Sequence, residues 1–277
     1  MDKAIERAEV LRRLRKKMSE GRPLVGTGAG TGLSAKCEEK GGSDLIICYN
    51  SGVFRMQGRP SCCGLLPLGN ANETLLCLAD EILPMVKDTP VIAGVYAQDP
   101  YRRMYYFLKE IKELGFSGVQ NFPSVGGFNG RMGVEFQEVG MGYEREVEMI
   151  EMAHELDLLT TPYAWDLEQA EKMMKAKPDV LVAHCGCTTG GTIGVNTAMT
   201  LDEAAKFCQE IHDYAVSINP DTIVICHGGP LEGPEDVEYV LQHTKGISGF
   251  YGASSVERLP AEAAITEVVK KFGMCSF

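Results

Sequence analysis

No stretch of the sequence approaches the ~20 consecutive apolar residues that a membrane-spanning helix requires. The N-terminal MDKAIERAEVLRRLRKK also lacks the apolar core of a secretory signal. A cytoplasmic protein with no membrane partner is expected. Positive charge is scarce: 27 Lys and Arg face 38 Asp and Glu, a net charge of −11. A nucleic-acid binder normally shows a basic face, so no nucleic-acid partner is expected. The one basic cluster, Arg12, Arg13, Arg15, Lys16 and Lys17, falls in the leading helix and reads as a solvated face. No Gly-x-x-x-x-Gly-Lys-Ser/Thr occurs, which excludes a P-loop. GTGAGTG (26–32) departs from the Gly-x-Gly-x-x-Gly spacing of a dinucleotide loop. There is no low-complexity segment, linker or repeat beyond the βα unit. Ten cysteines do not imply disulfides, since cytosolic thiols stay reduced. Cys48, Cys77, Cys208 and Cys226 sit among apolar neighbours and read as small core residues.

What is present is a rhythm of short apolar runs and longer amphipathic ones. The runs at 23–30, 44–50, 90–96, 116–122, 158–164, 179–185, 222–228 and 247–253 read as strands. Each is continuously apolar, as strands covered on both faces are. Helices are expected at 2–20, 33–41, 73–87, 101–114, 142–156, 167–175, 201–217, 234–242 and 260–272, with caps at Asp99-Pro100, Asp166 and Thr200. Eight βα units in 277 residues predict an α/β fold: a (β/α)₈ TIM barrel with an extra N-terminal helix. The expected organisation is a single domain over 1–277, with the leading helix in 1–20 and the barrel over 22–272. A doubly wound open sheet is the alternative.

In such a barrel the chemistry sits on the loops after the strands. The seventh and eighth ends, HGGP (227–230) and GASS (252–255), are small and rich in backbone N–H groups. Gly228, Gly229, Gly252, Ala253, Ser254 and Ser255 are therefore candidates for holding a phosphate or carboxylate. The competing reading is tight turns that need glycine for φ > 0. His184 and His227 are acid/base candidates, against a reading as packed strand-end residues. AHCGCTTGG (183–191) resembles a metal site, but Cys-x-Cys is not the usual zinc spacing, and neighbouring strand residues point opposite ways. The segment 50–72 is too long for a plain connection and reads as a lid. No acidic residue occurs from Leu45 to Asn72, while Arg55 and Arg59 do. Two arginines there suit an anionic substrate, because a guanidinium binds such groups bidentately. Cys62-Cys63 within it is a candidate reactive pair. Asp99 and Glu257 are candidates to orient a histidine or hold Mg²⁺; helix-terminal roles compete in both cases. Arg258 reads as a helix-start residue bonded to neighbouring loops. Gly28, Asn50, Ser51, Gln120 and Asn121 complete the candidate binding set. None of the eight strand ends carries a lysine, which removes Schiff-base aldolase chemistry.

YNSGVFRMQGRPS, AGVYAQDPYRRM, GFSGVQNFPSVG, LDLLTTPYAW, AHCGCTTGG, CHGGP and GFYGASSVERLP together resemble the phosphoenolpyruvate hydrolase-like TIM-barrel family. The resemblance runs from about Arg22 to Phe272. Two places depart from the family pattern. Cys185-Gly186-Cys187 stands where it has Met-Gly-Leu, and Asn129 in VGGFNG stands where it has an acid. The resemblance implies hydrolysis, or carbon–carbon or carbon–phosphate chemistry, on a phosphoenolpyruvate-like compound. It also implies homo-oligomerisation. The expectation is an enzyme for a small phosphorylated or carboxylated metabolite. In it His184 or His227 moves a proton, with Mg²⁺ as the candidate cofactor. The same pocket used only for sensing, or an interaction scaffold, is the alternative.

Overall fold

The computed structural model describes residues 4–196 and 198–276. Nine parallel strand segments occur among them: β1 (Leu24–Gly28), β2 (Leu45–Cys48), β3 (Val91–Gly94), β4 (Gly118–Gln120), β5 (Leu159–Thr160), β6 (Tyr163–Ala164), β7 (Val180–His184), β8 (Ile223–His227) and β9 (Gly249–Gly252). Eleven α-helices accompany them: α1 (Arg7–Ser19), α2 (Gly32–Gly41), α3 (Asn50–Met56), α4 (Ala71–Ile82), α5 (Met104–Leu114), α6 (Gly130–Glu138), α7 (Glu144–Glu155), α8 (Leu167–Met173), α9 (Leu201–Ile218), α10 (Pro234–Gln242) and α11 (Arg258–Gly273). No helix among the described residues is long and apolar enough to cross a membrane.

The sheet runs β5-β4-β3-β2-β1-β9-β8-β7-β6. β5 and β6 are two halves of the strand expected at 158–164, parted at Pro162, which has no N–H to donate. Thr161 N donates to Val119 O on one side (3.0 Å), and Pro162 O accepts from Val182 N on the other (2.9 Å). The broken strand therefore joins the two ends, and eight strand positions form the barrel. A doubly wound sheet would reverse its strand order; this one does not.

Strand alternation sorts the core into two layers. Leu45, Ile47 and Tyr49, Val180 and Val182, and Ile223 and Ile225 fill the barrel interior. Ile46 and Cys48, Leu181 and Ala183, and Val224 and Cys226 face the helices. Val10 and Leu14 of α1 join the interior layer beside Leu24 and close that end of the barrel. Arg7 pins the helix there by two bonds to Asp179 (2.8 and 2.7 Å).

Asp166 caps α8 by accepting from Gln169 N, and Thr200 with Glu203 forms a capping box on α9, as expected. Other local expectations need correction. Residues 50–72 hold α3 and a 3₁₀ turn over Ser61–Leu65, so they do not form a plain loop. Asp99 does not cap a helix: α5 begins only at Met104, and Asp99 accepts instead from Asn70, Asn72 and Tyr101 N. Cys77 is exposed, whereas Cys48, Cys208 and Cys226 are buried; all ten cysteines are free thiols.

Candidate active site at the barrel mouth

β7 and β8 run in register, with His184 opposite His227. Each histidine follows two inward-facing aliphatic residues on its strand, so both rings emerge at the C-terminal mouth. They line a cleft of about 680 Å³ of empty space, part of it open to solvent. Their ring centroids lie 4.6 Å apart. Trp165 stacks on His184 (3.5 Å) and Tyr163 stacks on His227 (4.9 Å), so neither ring is free to swing.

The backbone fixes the tautomer of each ring. His227 Nδ1 lies 2.6 Å from Tyr251 O. A carbonyl only accepts, so Nδ1 carries the proton and Nε2 keeps a lone pair. His184 Nδ1 lies 3.0 Å from Gly186 N, which only donates, so the His184 proton sits on Nε2. Neither Nε2 has a hydrogen-bond partner among the described residues. One imidazole therefore offers a lone pair and the other an N–H. Burial pushes His227 down to about 4, helped by the nearby Arg55 charge. Burial, then the neighbouring His227, holds His184 well below its ordinary value. Both rings are neutral at neutral pH.

Arg55 is the second focus. It reaches from α3 into the interior with its side chain 1% exposed, and Glu257, also 1% exposed, meets it there. Arg55 Nε and Nη2 donate to Glu257 Oε2 at 2.7 and 2.6 Å, and Nη2 also donates to Gly28 O at 3.0 Å. Glu257 Oε1 accepts from Gly30 N (2.7 Å). The guanidinium lines the cleft, and its Nη1 is buried without a hydrogen-bond partner. Ser61 and Ser254 complete this side, their hydroxyls 3.3 Å apart, while Ser51 donates to Ser61 O.

The mouth thus brings together His184, His227, Arg55, Ser51, Ala253 and Ser254 of the residues singled out in the sequence, with Cys62, Cys187 and Arg258 also on its lining. It does not bring the others to the same place. Arg55 is not a lid residue, because its charge is fixed by a buried carboxylate, and Arg59 is exposed and away from the cleft. Glu257 binds Arg55 and Gly30, so it orients neither histidine. Asp99 lines a neighbouring pocket with Asn50, and Asn50 Nδ2 donates to Gly64 O. Gln120 donates to Thr161 O, and Asn121 to Glu146 and Tyr163 O, inside the protein. Gly28 O accepts from Arg55. Gly228 and Gly229 have φ of 75° and 58° and pack on the β7 end: a Cβ on Gly228 would stand 2.2 Å from Gly186 O. Gly252 lies within β9, and Ser255 faces a different groove. Arg258 donates to Gly190 O and Glu262, which agrees with its reading as a helix-start residue.

Sequence reasoning missed Trp165, Ser61 and Phe122, together with Ile193 and Val195 from the loop after β7. Trp165 was findable, since it lies two residues past the inward Tyr163. Ile193 and Val195 carry no such signal, because their loop has no period.

The mouth does not suit the ions considered. Mg²⁺ takes oxygen ligands, above all carboxylates, and the cleft lining has none. Asp99 and Glu257, the expected ligands, are held elsewhere. For zinc, Cys185 points outward toward Cys208 (Sγ–Sγ 3.7 Å) while His184 points inward. No group of three His, Cys, Asp or Glu among the described residues is placed to hold a metal.

Comparison with known proteins bears on this architecture. Residues 9–274 match the model of the family described as phosphoenolpyruvate hydrolase-like. The chain is 54% identical over 267 residues to the ToMV susceptible protein tm-1(GCR26) of Solanum lycopersicum, covering 96% of this chain and 35% of that protein. It is 33% identical over 270 residues to the putative transcriptional regulatory protein y4pA of Sinorhizobium fredii, covering 96% of this chain and 44% of that one. The chain spans between a third and a half of the length of these relatives. Among solved structures it is similar to phosphoenolpyruvate phosphomutase from Streptomyces platensis subsp. rosaceus. There the TM-score is 0.59 at 18% identity, covering 95% of this chain and 88% of that one. At that identity the likeness speaks for the barrel fold alone.

Proposed function

This chain belongs to the phosphoenolpyruvate hydrolase-like family, and we propose that it is an enzyme acting on a small carboxylated or phosphorylated metabolite at the barrel mouth, by lyase or hydrolase chemistry. The observation that carries the reading is the pairing of opposite tautomers over a cleft that also holds the unpartnered Arg55 Nη1. General acid–base work needs one group that takes a proton and one that gives or shares it. His227 Nε2 takes a proton from a substrate hydroxyl or an attacking water. His184 Nε2–H hydrogen-bonds the oxygen on which charge develops. In the lyase form the bond next to the deprotonated hydroxyl breaks. Its electron pair passes to the carbon beside the substrate carbonyl, and that carbon recovers the proton.

Charge favours a carboxylate over a phosphate. The lining has no acidic residue in a chain of net charge −11, which supports an anionic ligand. Yet Arg55 is matched by Glu257 and Arg258 by Glu262, so no uncompensated cation remains for a dianion. The two N–H bonds of Arg55 Nη1 and the hydroxyls of Ser61 and Ser254 suit a single carboxylate.

The test is turnover of a panel of keto and hydroxy acids and phosphoenolpyruvate, followed by NMR, with His227→Ala as control. Consumption of one compound that the substitution slows at least 100-fold is expected. Unchanged turnover in His227→Ala removes that residue from the mechanism.

One observation favours a second reading. The matched region is a fraction of a relative described as a putative transcriptional regulator. A sensing module would use the same cleft without chemistry. Tight binding of a panel compound with no consumption over hours would decide for it.

A further inference from the structure

Both histidines of the mouth rest on aromatic rings, and the bonds that hold those rings meet at one buried carboxylate. Glu146 lies in the first turn of α7 and is fully buried. Gln98 Nε2 and Val125 N donate to its Oε1 (3.1 and 2.8 Å). Asn121 Nδ2 and Ser124 Oγ donate to its Oε2 (2.5 and 2.8 Å). All four are uncharged donors. Burial pushes the carboxyl up to about 7, a cost that an apolar residue in its place would avoid.

Two routes lead from Glu146 to the mouth. A serine hydroxyl has one proton and two lone pairs. The Ser124 proton goes to Glu146, so its oxygen accepts from Gly126 N (2.9 Å) and from Trp165 Nε1 (3.3 Å). Trp165 is the ring stacked on His184. On the second route Asn121 Oδ1 accepts from Tyr163 N (2.7 Å), while Asn121 Nδ2 also reaches Tyr163 O (3.3 Å). Tyr163 is the ring stacked on His227, and its edge meets His184 as well.

We propose that Glu146 is a positioning residue: through Ser124 and Asn121 it sets the two rings against which His184 and His227 are held. It rests on the acid–base reading of the two histidines and adds what keeps them in place. The isosteric amide shows why a carboxylate is needed. In Glu146→Gln an NH₂ group replaces one oxygen. Placed at Oε1, it faces Val125 N, which cannot turn to accept. Placed at Oε2, it faces Asn121 Nδ2, whose amide is held by Tyr163. There it also takes a lone pair of Ser124, and the longest bond to that oxygen, from Trp165, is the one to go.

The chain has one tryptophan, so its indole N–H signal reports Trp165 alone. The test is ¹H–¹⁵N and ¹H NMR of the full chain labelled on tryptophan and histidine, at pH 8, where Glu146 is ionised. Glu146→Gln is expected to speed indole N–H exchange about tenfold or more. It should also move the ring-proton signals of both histidines, which the stacked rings shield. Ser124→Ala should speed the same exchange and move His184 alone, because the Asn121 route stays intact; it carries the test if Glu146→Gln does not fold. Ile150→Val trims a fully buried side chain on the same helix and should move none of these signals. On a substrate found in the turnover panel, Glu146→Gln should lower kcat about tenfold or more with KM little changed. Signals unmoved by Glu146→Gln and Ser124→Ala, or moved as far by Ile150→Val, would overturn the proposal. A panel without turnover removes the acid–base reading by itself, since the NMR signals need no substrate.

Discussion

Replacing Arg55 by leucine tests whether the mouth is built on a buried ion pair. In the intact protein Glu257 accepts three short bonds, two from Arg55 and one from Gly30 N. Arg55→Leu leaves the carboxylate with Gly30 N alone, in a place that is 1% exposed. Removing one partner of a buried pair costs about 3–5 kcal/mol, because the other charge stays buried and uncompensated. The unfolding entropy of 277 residues is roughly 0.6 kcal/mol per kelvin. The midpoint should therefore fall by about 5–9 °C. Scanning calorimetry and urea titration at pH 7.5 measure it. The double variant Arg55→Leu with Glu257→Leu carries neither charge and should be more stable than Arg55→Leu alone. Arg55→Lys keeps a charge but loses the fork, so it should recover part of the stability while ligand binding stays weak. The reasoning fails if Arg55→Leu costs under about 1 kcal/mol, or if the two single costs add to the double within about 0.5 kcal/mol.

Three further outcomes follow from the same geometry. His227 is pushed by burial to about 4 in the fold against an ordinary 6.5. The acid limb of kcat/KM should therefore bend near pH 4, with a plateau from about 5 to 8; a bend near 6.5 would show a solvated ring. The unfolded chain binds this proton first, so stability falls as pH drops from 6.5 toward 4 and is unaffected above. Burial raises Glu38 to about 7 from 4.5, with Glu257 adding to the shift. Its folded pKa lies above its unfolded one, so stability is lost as pH rises from 4.5 to 7. Glu38→Gln should then gain up to about 3 kcal/mol over the parent at pH 8 and nothing near pH 4; a gap that does not change with pH refutes it by urea titration. At Gly30 a Cβ would stand 2.1 Å from Gly52 O, whereas Gly21 (φ 71°) has open space around it. Gly30→Ala should cost several kcal/mol, against about 1 for Gly21→Ala, with thermal midpoints ranking the two.

The barrel was legible because its strands are continuous apolar runs, and because a period of two decides which residues face inward. That same period puts His184 inward and Cys185 outward from the amino-acid order alone. α3 was not legible: NSGVFRM opens with an asparagine, a serine and a glycine, none of them a strong helix former. Its Arg55 is anchored by a residue 202 positions away. From the lack of acids nearby in sequence, Arg55 reads as a lid residue. Its counter-charge comes from the far end of the chain, so no local window could find it.

The anion-holding role expected of the small loops turns on which N–H groups are free. A phosphate cradle needs backbone donors with no other partner. Gly229 N donates to Gly186 O, and Gly30 N donates to Glu257. A donor already bonded inside the protein offers nothing to a ligand. Gly228 and Gly229 also serve the close approach of the β7 and β8 loops, since a Cβ on Gly228 would stand 2.2 Å from Gly186 O. Besides the small loops, the mouth carries side-chain donors: Arg55 Nη1 and the hydroxyls of Ser61 and Ser254. Those groups come from α3, the 3₁₀ turn and the end of β9. A ligand held by all three would bridge the first and last quarters of the chain, and the last quarter also supplies His227.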